Sequence, residues 1–275
     1  MGFAGDFLCR IAGAITLSAA ALFAGAAHAA DLPAPQALQR QMPTPPQAFA
    51  VYEPHLSVGD RHVTIRYVGW PAVAVFERLL GGNWQKRGEA VEFRALDGYV
   101  SRLPVSRFLR ERAYLVFARQ DGAPFTVDNL RQNEKDVPLA PWYLVWDNIG
   151  NPALIAEGAR NWPYQVKEIG LVALSDAALL PKGLDPRFRP GAALAKTHCL
   201  TCHKVNGYGG EKFAGNLAEI AKDYDRADFL RLLLVPAAQR EGATMPALSD
   251  RLPEAERRRI AGAIFDYLRA VPVLP

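Results

Sequence analysis

Cys199-Leu200-Thr201-Cys202-His203 is the stretch on which the reading of this chain turns. Two thiols three residues apart, followed directly by an imidazole, form the attachment signature for a covalently bound haem. The spacing has a chemical reason. Each thiol adds to one vinyl group of a single porphyrin, and the histidine that follows is held beneath the iron as an axial ligand. Other readings of a Cys-x-x-Cys pair need a context that this neighbourhood lacks. A four-ligand zinc site needs a second Cys or His pair, and only His198 stands nearby. A redox dithiol opens a helix after a strand in a βαβ unit, and the flanks carry no such pattern. The pentapeptide therefore predicts one covalent haem c on Cys199 and Cys202, with His203 as an iron ligand.

The N-terminus fits an exported protein. Arg10 precedes an apolar run from Ile11 to Ala27, and Ala27-His28-Ala29 supplies a small-residue cleavage site. Residues 1–29 are thus expected to be a cleavable signal. Gly13, Thr16, Ser18 and Gly25 interrupt the run, which makes it a poor membrane span. No later segment offers about 18 uninterrupted apolar residues, so no span is expected after cleavage. Cys9 leaves with the signal, and the other two of the three cysteines lie in the pentapeptide, so no structural disulfide is expected. Export together with a covalent haem points to the periplasm. The 32 basic and 28 acidic residues nearly balance, which leaves no nucleic-acid footprint.

Between the signal and the pentapeptide the composition changes twice. Residues 30–50 are rich in Pro, Gln and Ala, and read as an extended tether with little to pack. Residues 51–180 read as a strand-rich α+β domain. His62 to Val68 and Val91 to Leu96 alternate in the manner of strands, and Asp97-Gly98 is a turn signal. Ala72 to Leu80 reads as a helix closed by Gly81-Gly82, and further strands are expected over Ala113–Ala118, Trp142–Trp146 and Val166–Leu174. Residues 181–190 carry three prolines and read as a linker. The remainder, 191–275, reads as helical. Asp228 to Val235 is apolar at helical spacing, and a last helix starts at Pro253, with Ile260, Ile264, Phe265 and Leu268 on one face.

Residues 191–275 resemble a class I cytochrome c domain. The resemblance rests on Gly191 ahead of the pentapeptide, on Thr244-Met245-Pro246 in a later loop, and on a terminal amphipathic helix carrying Tyr267-Leu268. It implies an all-α fold, a close crossing of the first and last helices at Gly191, and Met245 as the second axial ligand of the iron. A methionine sulfur favours the ferrous state and raises the potential. Met42, His55, His62 and His198 are the other candidates for that position. Two departures stand out: Ala195 replaces the family's aromatic residue, and Ala214-Gly215-Asn216-Leu217 lacks the proline whose carbonyl orients the proximal histidine.

The stretches 91–99, 115–124, 142–146 and 162–172 loosely resemble the sulfite oxidase-type molybdopterin domain. That family holds molybdenum through a cysteine, and residues 51–180 contain none. No catalytic residue carries over. The expected function is a periplasmic monohaem carrier that passes single electrons between redox partner proteins, a donor dehydrogenase or an acceptor oxidase or cytochrome. The first domain would serve it as a docking module. Two alternatives are an oxidoreductase whose first domain binds a cofactor and feeds the haem, and a sensor whose haem reports redox state.

Overall fold

A computed structural model describes residues 28–57, 61–129, 132–239, 242–249 and 252–274. Most of the expected signal, residues 1–27, lies outside the described residues. Its last two residues, His28 and Ala29, open the first strand, β1 (His28–Asp31). In chain order there follow α1 (Pro35–Gln39), β2 (Gln47–Tyr52), β3 (Thr64–Pro71), α2 (Ala72–Leu80), β4 (Ala90–Ala95), β5 (Val100–Pro104), α3 (Val105–Arg110) and β6 (Ala113–Arg119). Then come β7 (Thr126–Asn129), β8 (Glu134–Pro138), β9 (Tyr143–Trp146), α4 (Pro152–Glu157) and β10 (Val166–Val172). The last third holds α5 (Arg189–His198), β11 (Lys204–Val205), β12 (Tyr208–Gly209), α6 (Leu217–Ile220), α7 (Arg226–Leu234), α8 (Pro236–Gln239) and α9 (Glu254–Ala270).

Two four-stranded antiparallel sheets carry the first part, in the orders β1-β10-β4-β5 and β2-β3-β6-β9. Their alternation is what the sequence offers: along β3, Ile65, Tyr67 and Trp70 are buried while Thr64 and Arg66 face solvent. Four indoles, Trp70, Trp84, Trp142 and Trp146, are fully enclosed in one apolar cluster with Phe76, Phe93 and Phe108. Each such ring removes about 150–250 Å² from water, roughly 4–6 kcal/mol of gross transfer free energy before ordering entropy is subtracted. A buried carboxylate, Glu92, is bracketed by Arg94 at 2.7 Å and Arg102 at 2.6 Å.

Residues 30–50 are not a tether. Leu32, Leu38 and Met42 are buried in the first core, and β2 pairs with β3 along its whole length. Two indole N–H groups fix the path: Trp142 Nε1 donates to the Pro33 carbonyl at 2.9 Å and Trp70 Nε1 to the Thr44 carbonyl at 2.8 Å. Leaving a buried N–H without an acceptor is costly, and these carbonyls supply one to Trp142 and Trp70. The expected linker, 181–190, also packs, with Leu184 and Phe188 against the second core.

The expected fold class, an α+β domain followed by a separate all-α cytochrome c domain, is overturned. The last third contains the hairpin β11–β12 directly after His203, and Lys204 also bridges to Asn216. It is moreover joined to the strand-rich part by main-chain hydrogen bonds, Val100 N–H to Thr201 O and Glu211 N–H to Gly98 O, both 2.8 Å. The molecule is a strand-rich α+β structure whose helical third has its own apolar cluster but no all-α character. Within that cluster α5 and α9 cross at Gly191, where an added Cβ would overlap the Ala263 carbonyl oxygen and stand 2.7 Å from Tyr267 Cβ. Among the described residues, no helix is long and apolar enough to cross a membrane.

Candidate functional site

The helix α5 ends at His198, and Cys199 is its C-cap. The chain then turns back on itself: Cys202 N–H and His203 N–H both donate to the Cys199 carbonyl, at 3.2 and 3.0 Å. Cys199, Cys202 and His203 are thereby gathered in one tight turn. Both cysteines are free and partly buried. Burial first, and the neighbouring Cys202 second, push the Cys199 thiol up to about 12. Burial likewise raises Cys202. The negative end of the α5 dipole acts in the same direction. A catalytic dithiol needs the opposite, a thiol lowered towards neutrality at a helix N-terminus. Here both sulfurs stay protonated at neutral pH.

Burial alone lowers the pKa of His203 and keeps its ring neutral, with a lone pair free for a metal. The ring stacks on Phe213, centroids 5.1 Å apart and planes 23° from parallel. Met245 is half-buried and packs on the same apolar cluster as Cys199. Its loop is held to α7 by Leu248 N–H donating to Leu233 O at 3.0 Å. Arg257 adds hydrogen bonds from Nε to Leu248 O and from Nη2 to Leu234 O, at 3.1 and 2.8 Å. Of the three consecutive arginines 257–259, Arg257 thus has a structural task, while Arg258 and Arg259 pair along the helix with Glu254 and Glu256.

The other candidate ligands lie elsewhere. Met42 is buried in the first core, with Leu38. His62 stacks on Tyr52 at 4.6 Å. His198 is half-buried, its pKa lowered by burial and by Arg160. Among the described residues, no three His, Cys, Asp or Glu side chains cluster to hold a metal ion, so the zinc reading finds no second ligand pair. Two neutral thiols in one turn, a neutral imidazole and a thioether on the same core suit a covalent haem c. A molybdenum site does not fit, because residues 28–198 offer no thiolate. An open cavity of about 700 Å³, lined by Arg187, Phe188, Gly191, Phe265 and Arg269, lies at the α5–α9 crossing and includes no residue of the pentapeptide.

The pentapeptide turn is docked on the edge of the first sheet. Besides the two main-chain bonds, Lys212 pairs with Asp97 at 3.0 Å and the Arg102 guanidinium lies 4.4 Å over the Tyr208 ring. The approach is so close that Gly98, at φ +86°, has the Glu211 carbonyl carbon 2.8 Å from where a Cβ would stand. Next to it the Tyr99 hydroxyl donates to Arg160 O at 3.3 Å. Its pKa is raised by burial and then by the Cys202 sulfur.

Behind this contact lies a polar cluster that sequence reasoning missed. Glu53 is fully buried. Its carboxylate accepts from His55 Nδ1 at 2.7 Å, from Tyr67 Oη at 2.7 Å, and from Tyr143 Oη at 3.2 Å to both oxygens. Burial alone would raise the Glu53 pKa; the His55 and Tyr67 hydrogen bonds outweigh it and hold the group below the usual carboxylate value. Burial and the Glu53 charge raise both Tyr67 and Tyr143. Only the run Tyr52-Glu53-Pro54-His55, polar beside a strand, hinted at this in the sequence. The chain matches no protein-family model and no curated protein sequence.

Proposed function

We propose that this protein is an exported monohaem electron-transfer protein of the periplasm, with haem c carried by Cys199 and Cys202 and ligated by His203 and Met245. The observation that carries the reading is the pentapeptide turn itself: two thiols and one imidazole gathered at the end of α5, with Met245 packed on the same apolar core as Cys199. The close α5–α9 crossing at Gly191 supports it as well. A haem bound there supplies a reversible one-electron couple. The residues do the rest. Cys199 and Cys202 would fix the group to the chain, and His203 and Met245 would ligate its iron. Cys199 and Met245 both pack on the second apolar cluster. The strand-rich part serves as a docking module for a redox partner protein, a donor dehydrogenase or an acceptor oxidase or cytochrome. It buttresses the turn through Asp97, Gly98, Val100 and Arg102.

The test is haem content. Secreted protein from a host able to attach haem c should carry one haem per chain that survives denaturation and acid–acetone extraction. Colourless mature protein would end the proposal. Met245→Ala should lower the potential, on the order of 0.1–0.2 V out of the roughly 0.8 V that axial ligands span, and should let the ferrous form bind carbon monoxide. Unchanged spectra would remove Met245 from the ligand set.

A further inference from the structure

The close crossing of α5 and α9 leaves a hollow beside it. Gly191 brings no side chain to the contact, and Ala263 and Ala270 of α9 bring only methyl groups, so the backbones approach while the space along their flanks stays open. The result is the cavity of about 700 Å³ between the start of α5 and the end of α9, a volume in the range of small-molecule sites. Phe188 and Phe265 are its aromatic walls. Phe265 is buried and packs on Phe229, ring centroids 5.1 Å apart, so that wall is fixed.

The charge at this cavity is uneven. Arg187 and Arg269 line it together with one carboxylate, Asp266. Asp266 is already paired with Arg226 of α7, whose guanidinium lies 5.8 Å from the Phe265 ring centroid. Arg187 Nε stands 3.4 Å from Asp185 Oδ2, and both side chains are exposed, so water screens that pair. Three guanidiniums thus face two carboxylates. A guanidinium keeps its charge at any working pH, so the excess does not hang on a protonation state. The two lining cations are held against the walls. Arg269 Nη1 donates to the Lys222 carbonyl at 2.7 Å, with the guanidinium 5.9 Å from the Phe265 centroid, and the Arg187 guanidinium lies 4.7 Å over the Phe188 ring. The bond to Lys222 uses one of the five N–H donors that Arg269 carries. The helix dipoles do not decide the sign, because the positive end of α5 and the negative end of α9 meet at the same cavity.

We propose that this cavity binds a small organic carboxylate with a compact apolar body, of the benzoate class. The guanidiniums of Arg187 and Arg269 supply the donors for the head group, since their planar forks match a carboxylate, and the body lies against Phe188, Phe265 and the alanine methyls. Both halves of the ligand are required. Apolar walls return nothing to a bare inorganic anion for the water it loses, and the cationic edge repels an amine. The site is separate from the pentapeptide turn: α5 begins at the cavity, and Gly191 to Cys199 is about 12 Å of helix rise. Carboxylate binding therefore goes beyond the electron-transfer reading and does not depend on it.

The experiment is a calorimetric titration of the full secreted protein with benzoate, benzamide, benzylamine and inorganic phosphate, while the haem spectrum of the same sample is recorded. Benzoate should bind at least tenfold more tightly than each of the other three. Arg187→Met removes a charge from an exposed side chain, so the fold is kept, and it should weaken benzoate at least fivefold while leaving benzamide unchanged. Arg187→Lys, which restores a point charge without the fork, should fall between that variant and the wild type. Ala270→Leu, which puts a side chain into the cavity, should weaken benzoate and benzamide alike. Equal binding of benzoate and benzamide, phosphate or benzylamine as tight as benzoate, or an unaltered benzoate affinity in Arg187→Met would each overturn the proposal. A haem-loaded protein that gives no heat with benzoate at millimolar concentration defeats this inference alone. Colourless protein that still binds benzoate through Arg187 defeats the electron-transfer reading alone.

Discussion

Glu53→Ala will lower the stability of this protein by about 3–5 kcal/mol, the range for removing one partner of a buried charged network. Three side chains lose their acceptor together: His55 Nδ1, Tyr67 Oη and Tyr143 Oη. Tyr67 and Tyr143 are almost fully enclosed, so water cannot take over. Each stranded donor costs about 1–3 kcal/mol. Glu53→Gln keeps the shape and one acceptor oxygen, and should lose about half as much. Acid adds a second signature. The folded Glu53 pKa lies below its ordinary value, so its contribution is fully present above about pH 4.3, the unfolded value, and fades as pH falls through the folded one. The wild type should therefore lose stability across that window more steeply than Glu53→Gln. Urea unfolding at pH 7 and at pH 3.5 measures both effects. A loss below 1 kcal/mol for Glu53→Ala at pH 7 would mean that the phenols find other acceptors. Covalent haem content should not change, because none of these side chains belongs to the pentapeptide turn.

That cluster shows where a single sequence stops being legible. Tyr67 and Tyr143 stand 14 and 90 positions from Glu53, and nothing local marks them as its partners. They read as core aromatics, which they also are. Where the information is local, the expectations hold closely. The helix from Ala72 to Leu80 ends at Gly81, and the last helix begins directly after Pro253. The alternating runs around residues 64–71, 90–95 and 113–119 are strands. The all-α expectation for the last third failed on a signal that was present: Asn206-Gly207, at φ 49° and 79°, is a two-residue hairpin turn between β11 and β12. Strands two residues long carry no period to detect. The docking of the pentapeptide turn was illegible for a different reason. It depends on main-chain groups of Gly98, Val100, Thr201 and Glu211, and main-chain groups are the same in every sequence. The packed residues 30–50 were misread because proline content suggests a solvated strand, whereas two distant indoles hold that stretch in place.

Gly191→Val should be the most damaging single change in the helical third. The α5–α9 contact has no room for a side chain: a Cβ at 191 would overlap the Ala263 carbonyl and crowd Tyr267 Cβ at 2.7 Å. Both obstacles are rigid, one being helix backbone and the other the root of a fully buried ring. Overpacking of this kind costs about 1–3 kcal/mol when neighbours can shift. Here the only relief is to move α5 away from α9, which also strains the Tyr267 hydroxyl bond to the Leu179 carbonyl, 3.0 Å long. A loss at or above 3 kcal/mol is therefore expected, read as a drop in the urea midpoint. Function should fail with it, because α5 ends in the turn that carries both thiols. Displacing the helix moves Cys199 and Cys202 relative to the core on which Met245 packs. The variant should be secreted with less than a tenth of the wild-type covalent haem. Gly191→Ala, with its single methyl group, should fall between the two. Wild-type haem content and stability in Gly191→Val would show that the crossing tolerates a side chain, and that the fixed distance between α5 and α9 is not what positions the thiols.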